Sequence, residues 1–462
     1  MYTIDQNSKT PLHIQLYTAL KDDIVNNLQV GEKLPSIRKL ATTYNLSKNT
    51  VESAFRQLYV EGFVESYPKS GYFVSDTNFK EFSTANSTKT STLKRQKNYL
   101  YDFFPARLPK DSFPLKLWKR IYTKVIDESL DFGAYPDGQG EEILREQIAK
   151  YLNDSRGANC HKEQIIITSG FGESMQLLAK MLKTNHSQIA MEDPGYHIVS
   201  QVFQSYNYKI DKIDVDKNAI VLDQLEKSDA KLVYITPSHQ YPKGYSMPIA
   251  NRLRLLEWAK QRDALILEDD YDGELTYYNR PIPSLQGLDR YDRVVYFGTF
   301  AKYLSPAIRV SYMVLPQHLI NTYKQHFDSH FCKVSLDTQI TLANFMKDGH
   351  FEKHIRKIRT LHKKKHELLK TLLEEKLGNT MKIEAQGAGL AILINPIVPF
   401  DWEKFKALAE QKSIKLYFAK NVSGGSWDAL RLGFGGFSEK ELKEVMEILA
   451  EIWRKALLSS SP

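Results

Sequence analysis

The chain has 462 residues, 42% hydrophobic and 26% charged, with 63 Lys and Arg against 55 Asp and Glu. That balance excludes wholesale disorder and a fibre, and the length argues for about three domains rather than one. No apolar run is long enough to span a bilayer, and the start MYTIDQNSKTPLHIQLY lacks a basic-then-apolar leader pattern. Cys160 and Cys332 cannot make a disulfide framework or a metal knuckle, so a soluble, cytoplasmic, multidomain protein without a metal site is expected.

In chain order, Leu12, Leu16, Leu20, Ile24 and Leu28 predict a helix over 12–28, stopped by Gly31. Ser36 is placed to cap a second helix with Ile37, Leu40 and Ala41 on its apolar face. Asn45 and Leu46 make a tight turn, and Ser47 caps a third helix that buries Val51, Ala54, Phe55 and Leu58. Residues 62–66 and 71–74 read as two short strands with Lys69 and Ser70 at the hairpin tip. Two helices joined by a short turn and followed by a wing describe a winged helix-turn-helix. Its stretch 33–56 holds Lys33, Arg38, Lys39, Lys48 and Arg56 against Glu52 alone. The first 98 residues, with 13 Lys and Arg against 9 Asp and Glu, carry +4 of the net +8.

The run LPSIRKLA…LSKNTVESAFRQL…EGFVES…KSGYFV resembles the winged helix-turn-helix of the GntR family of bacterial transcription regulators, over nearly all of 10–76. The resemblance implies double-stranded operator DNA as a partner. Ser36 and Arg38 would touch its backbone, and Lys48, Asn49 and Thr50 would enter the major groove. Lys69, Ser70 and Gly71 would approach phosphate or the minor groove. Glu52 stands where some relatives carry a base-contacting Arg, so the operator sequence does not follow.

Residues 77–98 are half Ser, Thr and Asn, 11 of 22, and read as a flexible polar tether. Beyond it, strand-like runs at 164–168, 188–191, 231–235, 264–267 and 293–296 alternate with amphipathic stretches such as 173–182 and 249–262. That alternation predicts an α/β body with a mostly parallel sheet, and such sheets place ligand groups at strand ends. After the first run, Ser169, Gly170 and Phe171 make an anion cradle of backbone N–H groups. ALILEDDYDGE puts acids and a tyrosine at the end of a buried strand. Lys302 follows another strand, with Thr299 three residues before and Arg309 seven after. A lysine there can form a Schiff base with an aldehyde cofactor whose phosphate Thr299 and Arg309 hold.

These motifs, GTFAKYLSPAIRVSY above all, resemble fold-type I pyridoxal-phosphate enzymes of the aspartate aminotransferase superfamily over nearly all of 102–455. The resemblance implies pyridoxal 5'-phosphate on Lys302 and a smaller C-terminal α/β subdomain. Asp269 would pair with the ring nitrogen, Tyr271 with the ring hydroxyl, and Tyr196 would stack on the ring. Arg431 would clamp an effector carboxylate. One departure lies in TPSHQYPKG at 236–244, where aminotransferases commonly have Asn-Pro-x-Gly: Tyr241 precedes Pro242, and what His239 and Gln240 contact is open.

A GntR-type winged helix (1–76), a polar linker (77–98) and an aminotransferase-like body for effector binding and dimerisation (99–462) resemble the MocR subfamily, to which GabR-type regulators belong. What this implies is a transcription regulator rather than an enzyme, a head-to-tail, domain-swapped homodimer. It would sense a small amino compound through an external aldimine in place of Lys302, or sense pyridoxal phosphate itself. A working aminotransferase with an appended DNA reader is the alternative. The effector, whether γ-aminobutyrate, another amino acid or D-alanine, stays open, as does activation against repression.

Overall fold

The computed structural model describes residues 2–76 apart from 7 and 9, then 98–278 and 283–458. The expected tether, Asn98 excepted, lies outside the described residues. The chain divides into two compact units, Met1–Lys97 and Asn98–Pro462.

In the first unit α1 (Leu12–Asn26) and α2 (Ile37–Thr43) pack against α3 (Lys48–Val60). The first helix ends two residues short of Leu28, because Asn27 and Leu28 both return their N–H groups to Asp23 and close the last turn. Ser36 and Ser47 cap α2 and α3, accepting from the amides of Lys39 and Thr50. Each such cap contributes about 1 kcal/mol relative to alanine. Leu16, Leu20, Val51, Ala54, Phe55 and Leu58 meet in one core. Strands β1 (Val64–Tyr67) and β2 (Gly71–Val74) pair antiparallel, and Lys33 bridges to Phe73 on the other side of β2. The tip turns through Lys69 and Gly71, both at positive φ.

The second unit is an α/β body. Its eight-stranded sheet runs, in spatial order, Ile165–Thr168, Ser311–Val314, Val294–Thr299, Leu265–Asp269, Leu232–Ile235, Gln188–Asp193, Lys209–Asp216 and Ala219–Ile220. Six strands are parallel, and Ser311–Val314 and Ala219–Ile220 run against them. IIIT, LVYI and LILED are buried throughout, as a sheet covered on both faces demands. Ile166, Val295, Phe297 and Met313 pack on one face with the helix Phe171–Leu182, while Ile167, Tyr296 and Tyr312 pack on the other with Glu142–Arg156.

A smaller subdomain follows. Met381–Ala385, Ala391–Pro396, Ser426–Gly433 and Tyr417–Lys420 form a four-stranded antiparallel sheet. Trp453 of the helix Glu439–Ala456 is fully buried in the core beside it. Among the described residues, no helix is long and apolar enough to cross a membrane, and no His, Cys, Asp and Glu grouping suits a metal ion.

Candidate functional site

The carboxyl ends of the parallel strands face the small antiparallel sheet across a cleft. His239 and Tyr241 reach it from the loop after Leu232–Ile235, Tyr271 and Asp272 from the loop after Leu265–Asp269, and Lys302 from the turn after Val294–Thr299. Ala385, Gly389, Leu393 and Arg431 supply the opposite wall.

Asp269 ends its strand level with Phe297 on the next one, which brings Lys302, five residues beyond Phe297, into its field. The carboxylate is buried and accepts a 2.6 Å hydrogen bond from the Tyr234 hydroxyl. Burial pushes its pKa up to about 7, against the opposing pull of Tyr234 and Lys302. Burial likewise lowers the Lys302 amine below the ordinary lysine range; Asp272 and Asp269 oppose that, and Arg431 adds to it. The Lys302 Nζ lies 4.6 Å from the centre of the Tyr271 ring. Burial that disfavours the ammonium form favours the free amine, the form that attacks an aldehyde, and a buried carboxylate nearby favours a cationic partner.

The Tyr271 hydroxyl donates to the His239 carbonyl at 3.0 Å. Tyr196 is kept neutral by burial, its pKa pushed up to about 12, and its ring sits 6.1 Å from Phe171 and 5.2 Å from Tyr241, centre to centre. Arg431, on Ser426–Gly433, donates to the Tyr241 hydroxyl at 2.6 Å.

The expected anion cradle is built differently from the sequence expectation at one position. The helix Phe171–Leu182 begins at Gly170 with no side-chain cap, which leaves backbone donors at its start. Arg309 lies directly over Gly170, where a Cβ would come within 2.2 Å of Arg309 Nη2, and the Gly170 φ of +124° is one that favours glycine. Thr299 Oγ1 accepts from the Ala301 amide and the Ser311 hydroxyl, which leaves its own proton to donate. The Ser169 amide, however, is already taken by Glu173 Oε2 at 2.6 Å. Glu173 is the third residue of the helix, and a carboxylate at that position reaches back over the first turn.

An aromatic aldehyde bearing a phosphate and a basic ring nitrogen fits this set. The amine, the buried acid, the aromatic cover and the glycine-arginine cradle each match one of its groups.

In the first unit Ser36, Arg38, Lys48, Asn49, Lys69 and Ser70 are exposed, and Thr50 and Gly71 are half-buried. Lys48 and Asn49 open the first turn of α3, where the Thr50 hydroxyl lies 2.8 Å from that of Ser47. Lys48 also pairs with Glu52 at 3.3 Å.

Comparison with known proteins agrees with both units. Residues 110–449 match the family model for aminotransferase class I and II, and residues 12–74 that for the gntR family of bacterial regulatory proteins. The chain is 36% identical over 464 residues to the uncharacterized HTH-type transcriptional regulator YhdI of Bacillus subtilis, covering 99% of this chain and 98% of that one. It is 31% identical over 410 residues to the probable rhizopine catabolism regulatory protein MocR of Rhizobium meliloti, covering 85% and 83%. The chain belongs to the MocR-type HTH transcriptional regulators. Among solved structures the body of this MocR-type regulator resembles kynurenine aminotransferase of Pyrococcus horikoshii. That match has a TM-score of 0.70 and 25% identity, over 78% of this chain and 92% of that one.

Three contacts in this MocR-type regulator lie beyond sequence reasoning. Tyr234 is one strand away from the acid it bonds, and its place near the end of KLVYI was the only available signal. Gln240 turns from the cleft and donates to the carbonyls of Pro194 and Tyr241, which ties down the loop. His239 pairs through Nδ1 with Asp272 Oδ2 at 2.8 Å.

Proposed function

We propose that this MocR-type regulator holds pyridoxal 5'-phosphate on Lys302 and uses it to report a small amino compound to operator DNA. The observation that carries the reading is the desolvated Lys302 amine beside the buried carboxyl of Asp269 at the ends of two adjacent parallel strands. The cofactor, when bound, supplies an aldehyde carbon at which one amine can replace another.

The chain's own residues do the rest. Asp269 would hold the ring nitrogen protonated, and Tyr196 would cover the ring. Gly170, Phe171, Thr299 and Arg309 would hold the phosphate, with the Ser169 amide joining once Glu173 moves off. Tyr271 would turn its hydroxyl from the His239 carbonyl toward the ring oxygen. Arg431 would receive a ligand carboxylate. Ligand binding changes operator affinity only where one arrangement of the protein takes the ligand better, typically by about 1–3 kcal/mol. The reading includes a cytoplasmic, head-to-tail homodimer, so that two winged helices meet two half-sites.

Borohydride reduction of the cofactor-loaded protein followed by peptide mapping tests the anchor. The adduct is expected on Lys302 and missing in Lys302→Ala; a loaded protein without it overturns the reading. Operator binding is then measured with cofactor alone and with amines. A response to the cofactor alone would make the cofactor the signal. Sustained conversion of an amino donor plus a keto acid would favour the second reading, a working aminotransferase, in which Asp269, Tyr271, Lys302 and Arg431 would supply the catalytic groups.

A further inference from the structure

The cleft has a second polar point that the reading above leaves unused. Asp272 is buried and its Oδ2 lies 2.8 Å from His239 Nδ1. A carboxylate only accepts, so Nδ1 carries a proton in this pair, and in the neutral ring Nε2 then presents its lone pair; the Tyr271 hydroxyl also lies 3.2 Å from Nδ1. His239 lines the cleft, yet among the described residues its buried Nε2 has no hydrogen-bond partner. The wall along that edge of the ring is made of small residues. A Cβ at Gly244 would approach Nε2 to 2.9 Å, and one at Gly389 would approach Asp272 Oδ2 to 2.6 Å. Ala385 and Ala388 continue the same wall. Glycine at 244 and 389 thus lets the backbone pack against the dyad, where any side chain would collide with it.

The charges in the cleft are arranged in opposition. Arg431 offers a cation on the small sheet, and Asp272 places a negative charge behind His239 on the large one. A neutral imidazole backed by a carboxylate is a strong acceptor and favours a cationic donor.

We infer that His239, oriented by Asp272, is a specificity-determining residue that accepts a hydrogen bond from a second amine on the ligand. The cleft therefore selects a diamino monocarboxylic acid: one amine goes to the Lys302 position, the carboxylate to Arg431 and the distal ammonium to His239 Nε2. The inference rests on the cofactor-sensing reading and names its ligand class.

Two measurements test it. In cofactor-free protein labelled with 15N-histidine, the signal lost in His239→Phe should be that of an Nδ1–H tautomer; an Nε2–H tautomer overturns the inference. In cofactor-loaded protein, calorimetric titration compares ornithine and lysine with norvaline and norleucine, which lack only the distal amine. Wild type should favour the diamino acids at least tenfold, and His239→Phe should reduce that ratio to within twofold of one. In Asp272→Asn the amide donates to Nδ1 and turns Nε2 into a donor. The preference should then invert toward glutamate over lysine, which loss of packing alone would not produce. Equal affinity of wild type for the paired ligands, or a stronger preference for a hydroxylated analogue than for the ammonium, overturns the inference while leaving cofactor sensing intact. No effect of any amine on a loaded protein would instead overturn the sensing reading.

Discussion

The Tyr241 hydroxyl accepts a 2.6 Å hydrogen bond from Arg431 Nη1, and the guanidinium carbon of Arg431 lies 4.5 Å from the centre of the same ring. One tyrosine thus stacks on the arginine and bonds it, which fixes the plane of the remaining donors before a ligand arrives. The departure Tyr241-Pro242 from the usual Asn-Pro has a physical consequence here, since asparagine has neither the ring nor the reach. Tyr241→Phe keeps the stacking and loses the bond. Affinity for a carboxylate-bearing amine should fall about 3- to 10-fold. Arg431→Lys, without the planar fork, should lose more than tenfold. Titration calorimetry on loaded protein reads both, and unchanged affinity in the lysine variant would move the carboxylate site elsewhere.

Asp269 makes the stability of cofactor-free protein depend on pH. Its folded pKa of about 7 lies above the ordinary 3.8. Between those values the unfolded chain releases the proton and the folded chain keeps it, so stability falls as pH rises from about 4 to about 7. Buried Glu192 and Glu268, also raised to about 7, act in the same sense. Asp269→Asn removes one of the three contributions. Its thermal midpoint relative to wild type should therefore be higher at pH 8 than at pH 4. A difference independent of pH would show that Asp269 does not titrate in this window. The same variant should take up the cofactor at least tenfold more weakly, since the ring cation loses its counter-charge.

Glu173 competes for the anion cradle. Burial raises its pKa, but bonds from Ser169 and the ion pair with Lys333 outweigh that and hold it below the ordinary range, so it is a carboxylate at neutral pH. Its charge sits within hydrogen-bond distance of the Ser169 amide that the sequence assigns to an anion. Glu173→Gln keeps an acceptor and removes the charge, and should tighten uptake of the phosphorylated cofactor several-fold. The gain should be absent for pyridoxal, which lacks the phosphate. Fluorescence titration with both compounds separates the two.

Operator binding should divide by residue type. Arg38→Ala and Lys69→Ala should each weaken binding to all sequences and reduce the slope of log affinity against log salt by about 1. Asn49→Ala should relax sequence preference with the slope unchanged. Glu52→Gln releases Lys48 from its 3.3 Å ion pair and removes a negative charge from the first turns of α3. It should strengthen binding at low salt, with the gain fading as salt screens the surface charges. Electrophoretic shift assays over a salt series read all four, and an unchanged slope in both cation variants would remove them from the phosphate contacts.

How much was legible follows from the range of the forces involved. Ser36 and Ser47 were identifiable as caps because a cap acts within one helical turn of its own sequence. The strands ending at Thr168, Asp269 and Thr299 were identifiable because strands covered on both faces must be apolar throughout, so a run that ends in polar residues marks where the chain leaves the sheet. The acids of EDDY and Lys302 were visible for the same reason, as polar residues just after continuous apolar runs, and the resemblance to fold-type I enzymes is what singled out Asp269 among those acids.

The partners of those residues were not legible. Tyr234 and Asp269 are 35 residues apart, and Tyr241 and Arg431 are 190 apart. Their meeting depends on strand register and on how the small sheet faces the large one. The Ser169 amide reads as a free donor in sequence, and the rotamer of Glu173 withdraws it. His239 reads as a lone histidine beside a departure from the usual motif, and its pairing with Asp272, 33 residues away, appears only in the folded chain. Local pattern therefore established the two units, their secondary structure and the identity of the chemical groups, because propensity, capping and hydrophobic period act over a few residues. Which donor meets which acceptor, and which charges are desolvated, arose from packing across hundreds of residues, where burial and geometry set the pKa values and orient the polar groups.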